Sequence, residues 1–388
     1  LVRTAGPARC RSLVSIHSIK LTLMNKKILI LSFLSVLFLA AGPIRAAIGV
    51  TNLRTEQLKN PSGIDTHQPR LGWRIESNEQ NVMQTAYHIL VASSPDLLAQ
   101  GKGDMWDSGK VETDASQWIT YQGENLKRNA PYFWKVKVYT NKGESDWSSP
   151  AFWSMGLFNE ADWQGQWIGL DRAAPGDSET QWSRLAARYL RKEFALKKEI
   201  KRATVHIAGM GLYELFINGQ RIGDQVLAPA PTDYRKTILY NTYDVTSQLQ
   251  QENAIGVTLG NGRFYTMRQN YKPYKIPTFG YPKLRLNLIV EYADGSKETI
   301  ATNTSWKLTT EGPVRSNNEY DGEEYDARKE LGNWTQTDYD DTKWMPAERV
   351  SIPSGTLRAQ MMPGMKVTET LKPVSIQKMG DKYIMDTG

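Results

Sequence analysis

The chain has 388 residues, 40% of them hydrophobic and 23% charged, with 48 Lys and Arg against 41 Asp and Glu. The formal net charge of +7 is confined to the leader: seven basic and no acidic residues fall in residues 1–46, which leaves 41 of each sign afterwards. A nucleic-acid partner, which rests on a basic excess, therefore loses its support, while the remaining length accommodates two to three β-domains.

From Met24 the chain reads MNKKILILSFLSVLFLAAGPIRA. Lys26 and Lys27 form a positive start, residues 28–41 an apolar run, and Ala46 a small residue at a cleavage position. The run is too short to span a bilayer core, which predicts a secretory signal peptide over 24–46 and no membrane insertion after cleavage. Residues 1–23 read as translated upstream sequence. The single cysteine, Cys10, lies ahead of the signal. The exported chain is thus expected to be periplasmic or secreted and to rely on core burial rather than disulfides.

Residues 48–157 are predicted to form a first β-sandwich. Strand-like runs occur at 85–93 (TAYHILVAS), 117–121 and 132–140 (YFWKVKVYT). In the last, Trp134, Val136 and Val138 alternate with Phe133, Lys135, Lys137 and Tyr139, so the first set reads as the buried face. The order of PRLGW, NAPYFWKVKVYTNKG and SDWSSPAFWSMGL resembles a fibronectin type III-like domain. Trp134, Trp153 and Trp167 sit in apolar strand patterns and are expected in the core. Trp106 and Trp182 lie in polar surroundings and are the surface candidates.

A short linker leads to a second sandwich over 162–350. Tyr213, Leu215 and Ile217 alternate up to Asn218-Gly219, and a second strand leaves through Arg221 and Ile222. Asn-Gly between alternating runs predicts a hairpin with a type I′ turn. Ile255, Val257 and Leu259 alternate before Gly260, as do Leu284, Leu286, Leu288 and Val290 before the Asp294-Gly295 turn. Residues 351–388 read as the beginning of a further β-domain. The expected fold class is all-β, as tandem sandwiches, because no segment carries a sustained helical period.

The segments YELFINGQRIGD, TDYRKTILYNTYDVT and NAIGVTLGNGRFY closely resemble the N-terminal jelly-roll of bacterial α-L-rhamnosidases, with EEYDAR as a further motif of that domain. The resemblance implies an N-terminal accessory portion of an exported α-L-rhamnosidase, whose reaction is inverting hydrolysis of terminal α-L-rhamnose. It further implies that the acid and base glutamates lie in a helical catalytic barrel absent from this sequence, so that this chain by itself is expected to be inactive. The partners so implied are that barrel and a rhamnose-containing glycan or glycoside. Two other readings stay open: a free-standing carbohydrate-binding module, and a structural or adhesive ectodomain.

The histidines outside the leader, His67, His88 and His206, fall singly in different segments, and no zinc-binding spacing appears. Asp321, Glu323, Glu324 and Asp326 form an acidic loop. Glycoside hydrolysis needs two carboxylates facing each other across a sugar, which neighbours in one loop seldom provide. Pairing with Arg328 or Lys329 is the expected role. In some α-L-rhamnosidases the corresponding jelly-roll binds rhamnose with help from calcium, so the resemblance implies no required cofactor and admits calcium. The residues expected to serve a sugar are Asn261, Arg263, Tyr265, Asn270 and Tyr271, in LGNGRFYTMRQNY. Relatives resemble Asn-Gly-Trp where this chain has Asn261-Gly262-Arg263.

Overall fold

A computed structural model of the protein describes residues 48–174, 177, 185–266 and 279–388. The segment expected to be a signal peptide, Trp182, Asn270 and Tyr271 lie outside the described residues. Residues 48–388 form one compact unit that is almost entirely β. No helix among the described residues is long and apolar enough to cross a membrane.

The first sandwich is built from β1 (Ile48–Thr55), β2 (Arg70–Ser77), β3 (Gln84–Ala92), a short helix α1 (Pro95–Ala99), β4 (Trp106–Glu112), β5 (Ile119–Thr120), β6 (Pro131–Thr140), β7 (Gly143–Glu144) and β8 (Ala151–Ser154). One sheet has the order β1-β2-β5; the other is β4-β3-β6-β7, with β8 also on β6. Alternation along β6 buries Trp134, Val136 and Val138 and leaves Lys135 and Lys137 half-exposed, because successive side chains point to opposite faces. Trp134 and Trp153 are fully buried, as their apolar strands predict, while Trp106 is half-buried against the edge of Tyr121.

The second sandwich contains β9 (Ile168–Gly169), β10 (Arg188–Ala195), β11 (Ile200–Met210), β12 (Leu212–Ile217), β13 (Gln220–Ile222), β14 (Thr237–Asp244), β15 (Glu252–Gly260), β16 (Lys283–Tyr292), β17 (Lys297–Ala301), β18 (Lys307–Thr309), β19 (Val314–Asn318), β20 (Gly322–Tyr325), β21 (Met345–Pro346), β22 (Glu348–Arg349) and β23 (Thr356–Ala359). One sheet runs β13-β12-β15-β10-β18-β21 and the other β22-β9-β16-β11-β14-β23, with β17 on the edge of β16. β19 and β20 form a separate hairpin. The Asn218-Gly219 turn takes positive φ at both residues, 50° and 81°, and joins Ile217 to Gln220. Leu215, Ile217, Ile255, Val257 and Leu259 meet Val205, Ile207, Leu284, Leu286, Leu288 and Val290 in one core.

Residues 351–388 do not behave as one piece. Thr356–Ala359 pairs in parallel with Thr237–Tyr240 and so completes a sheet of the second sandwich. Only the hairpin of β24 (Ser375–Met379) and β25 (Lys382–Asp386) stands apart, with both strands largely exposed.

The polar face of β11 and β16 is also buried. Such a face ordinarily meets water on an antiparallel sheet, but here residues 157–167 and the first sandwich cover it. Arg285 donates to the Gly165 carbonyl and Asn287 to that of Asp162. His206 reaches Asn129 Oδ1 at 3.1 Å, and the Tyr240 hydroxyl bonds both the N–H and the carbonyl of Leu157, at 3.0 and 2.9 Å. The Ala359 N–H donates to Asp65, and Trp163 packs edge-on against Tyr240. These contacts make a continuous seam between the two sandwiches.

Candidate functional site

The candidate site lies where β15 ends and the chain turns at Asn261. The Asn261 amide group donates to the carbonyls of Leu185 and Asn317, both at 2.8 Å, and its N–H donates to Asn317 Oδ1 at 2.6 Å. Its carbonyl accepts from Phe264 and Tyr265, which closes the turn. Asn261 is only 2% exposed. Its donors are committed to backbone, so it ties the loop to the β19–β20 hairpin instead of reaching a sugar. Tyr265 is also buried, stacked on Tyr281 with ring centres 5.7 Å apart. Arg263 is the described member of the expected set that stays at the surface. Its guanidinium forks onto the Glu319 carboxylate, both bonds 2.5 Å, with both side chains partly exposed.

At this loop four buried polar atoms have no hydrogen-bond partner among the described residues: Arg188 Nε, Asn261 Oδ1, Thr266 Oγ1 and Asn317 Nδ2. Arg188 is fully buried; it donates to the Ala186 carbonyl and to Asp177. Burial pushes its pKa down, while the Asp177 carboxylate pulls the other way. Buried polar atoms are nearly always paired, so an orphan set holding both donors and an acceptor is unusual. Arg188 and Asn317 were not expected from sequence. Arg188 stands inside the apolar run LAARYLRK, and nothing in that run separates a buried guanidinium from a surface one.

The acidic loop falls on the β19–β20 hairpin and the turn after it. Asp321 accepts from Asn318, and Glu324 from the Ser316 hydroxyl. Glu323 is exposed. Asp326 caps the following turn and pairs through both oxygens with Arg328, which draws its pKa down to about 2. Lys329 instead reaches Glu311. The four carboxylates thus line one exposed ribbon, so they do not face each other across a sugar-sized gap. Among the described residues no three acidic or histidine side chains gather into a group that could hold a metal.

Known proteins give the family. An immunoglobulin domain model (Rha78A-like, N-terminal) matches residues 50–159, and the α-L-rhamnosidase N-terminal domain model matches 198–369. The matched model makes the first sandwich immunoglobulin-like. An α-L-rhamnosidase of Formosa agariphila is 38% identical over 350 residues, covering 85% of this chain and 37% of that protein. The solved α-L-rhamnosidase of Dictyoglumus thermophilum superposes with a TM-score of 0.77 at 38% identity, over 87% of this chain and 38% of that one. That of Streptomyces avermitilis, solved with L-rhamnose, shares the fold with a TM-score of 0.77 at 24% identity, over 88% of this chain and 49% of that one. The chain therefore spans less than two fifths of the length of the Formosa relative. It carries, in order, the immunoglobulin-like and N-terminal β domains of the α-L-rhamnosidase family, to which it belongs.

Proposed function

We propose that the protein serves as the exported, non-catalytic N-terminal platform of an α-L-rhamnosidase, whose parent reaction is inverting hydrolysis of terminal α-L-rhamnose from glycans or glycosides. The observation that carries this reading is the match at 38% identity through 85% of the chain. In this reading the exposed hairpin β24–β25 is the contact with the catalytic barrel. Ile376, Tyr383 and Met385 are each more than half exposed there, an apolar surface suited to packing against another domain.

The loop at 261–266 is the proposed rhamnoside contact within the platform. Beyond the fork that joins them, Arg263 and Glu319 keep N–H donors and oxygen lone pairs for hydroxyl groups, while Asn261 holds the loop in place. A monosaccharide offers few apolar atoms and must shed water from its hydroxyls, which limits the expected Kd to about 0.1–1 mM.

Titration calorimetry of the purified chain with L-rhamnose, paired with an aryl α-L-rhamnoside assay, tests both parts. Binding heat that Arg263→Ala abolishes, with no turnover, is expected. A chelator would lower that heat if calcium contributes. Equal, negligible heats for both proteins would make the loop structural. Sustained turnover lost on Glu324→Gln would move the chemistry onto the acidic hairpin.

A further inference from the structure

A groove in the immunoglobulin-like sandwich, well away in sequence from the loop at 261–266, has a chemistry of its own. It encloses about 510 Å³ between residues 66–68 and 121–126, within the size range of small-ligand sites. The residues that line it include Gln68, Gln122 and Asn125, which carry side-chain amides, together with Glu124 and His67. Gln68, Gln122, Glu124 and Asn125 are all exposed. Among the described residues no Lys or Arg lines it, which disfavours phosphate or nucleic acid. Its apolar members, Tyr121 and Leu126, are themselves buried, which disfavours a greasy ligand.

The far wall is built to keep its shape. The Tyr121 hydroxyl lies within hydrogen-bond distance of the carbonyls of Met105 (3.0 Å) and Glu124 (2.8 Å) and shares its one proton between them, which ties the 121–124 loop to the residue just before β4. Gly123 lies so close that a Cβ there would sit 2.1 Å from Met105 O and 2.6 Å from the Tyr121 hydroxyl. Across the groove, His67 leans on Phe158 with ring centres 4.3 Å apart, which fixes the imidazole. The walls are therefore held in place while the facing amides stay free to adapt.

We infer that this groove is an accessory site for a neutral polysaccharide. Each amide offers an acceptor and two donors, matching hydroxyl groups that both donate and accept. The lone carboxylate can accept from a pair of neighbouring hydroxyls. The open side lets a chain continue past the groove, so a polymer is favoured over a monosaccharide. Such a site would hold the protein on a glycan independently of the loop at 261–266.

Affinity electrophoresis of the full chain in gels containing soluble neutral polysaccharides free of rhamnose (a glucan, an arabinan and a galactomannan) tests the inference. The expected result is retardation by at least one of them. The triple variant Gln68→Ala, Gln122→Ala, Asn125→Ala should lose more than half of that retardation, whereas Arg263→Ala should keep it. The three altered side chains are exposed, and an unchanged Tm would show that the variant is folded. No retardation by any neutral polymer would overturn the site, as would undiminished retardation of the folded triple variant. Loss on Arg263→Ala alone would assign the effect to the jelly-roll loop and equally overturn it.

Discussion

At the residue scale the seam between the sandwiches turns on His206. It is fully buried between Thr242, 2.9 Å from Nδ1, and Asn129 Oδ1, 3.1 Å from Nε2. Asn129 Oδ1 can only accept, so Nε2–H donates to it and Nδ1 accepts from the Thr242 hydroxyl, a neutral tautomer. Burial, with the Arg202 charge second, holds its pKa down to about 3. In the unfolded chain an imidazole titrates near about 6.5. Below that pH the unfolded state binds a proton that the folded state refuses. The stability linked to His206 is therefore whole above about pH 6.5 and falls toward pH 3, by roughly 1.4 kcal/mol per pH unit. His206→Gln should lower stability at pH 7 and flatten this acid limb. Denaturant titrations from pH 7 to 4 should show the gap between the two proteins closing as pH falls; a constant gap would overturn the assignment.

At the element scale the seam depends on how closely the end of β8 approaches β14. A Cβ on Gly156 would lie 2.2 Å from the Tyr240 hydroxyl and 2.7 Å from the Gly63 carbonyl, although its backbone φ is ordinary. Gly156→Ala should therefore act by overpacking and cost about 1–3 kcal/mol. Tyr240→Phe leaves the Leu157 N–H and carbonyl buried without that partner, for about 2 kcal/mol. Because the alanine methyl and the hydroxyl compete for one space, the double variant should be more stable than the sum of the single losses implies, by about 1 kcal/mol. Additive losses in urea unfolding would refute the shared contact. None of this seam is legible in the chain. The alternation of Leu284 to Val290 and the Asn218-Gly219 turn are local patterns, so those elements could be read directly. The burial of Arg285, Asn287 and His206 instead depends on residues 129 and 157–167, far away in sequence, so their polar face reads like any solvated one. The same holds for β23, whose parallel pairing with β14 joins residues more than a hundred positions apart. It holds too for Asn261, which reads as a loop ligand because its true partners, Leu185 and Asn317, lie in other segments.

At the scale of the whole molecule the seam sets how the protein unfolds. Inter-domain contacts within a chain are often small and polar, and domains then melt separately. Here Leu157, at the end of the first sandwich, packs in one apolar cluster with Trp163 and Tyr240, and hydrogen bonds join Asp65 to Ala359, Asn129 to His206 and Leu157 to Tyr240. Stripping the first sandwich away would leave the buried His206 without Asn129 and Arg202 without the Asn129 carbonyl. Neither sandwich can therefore open without a large loss in the other, and the two should melt as one cooperative unit. Differential scanning calorimetry should give a single transition whose van't Hoff and calorimetric enthalpies agree. Replacing Asn129 and Asp65 by Ala together with Tyr240→Phe removes polar ties from both ends of the seam and should split the peak in two. Hydrogen exchange should then place the early event in β1–β8. Two resolved transitions in the unaltered protein would mean that the seam is a loose contact, and the rigid platform would give way to two sandwiches joined by a hinge at 158–166.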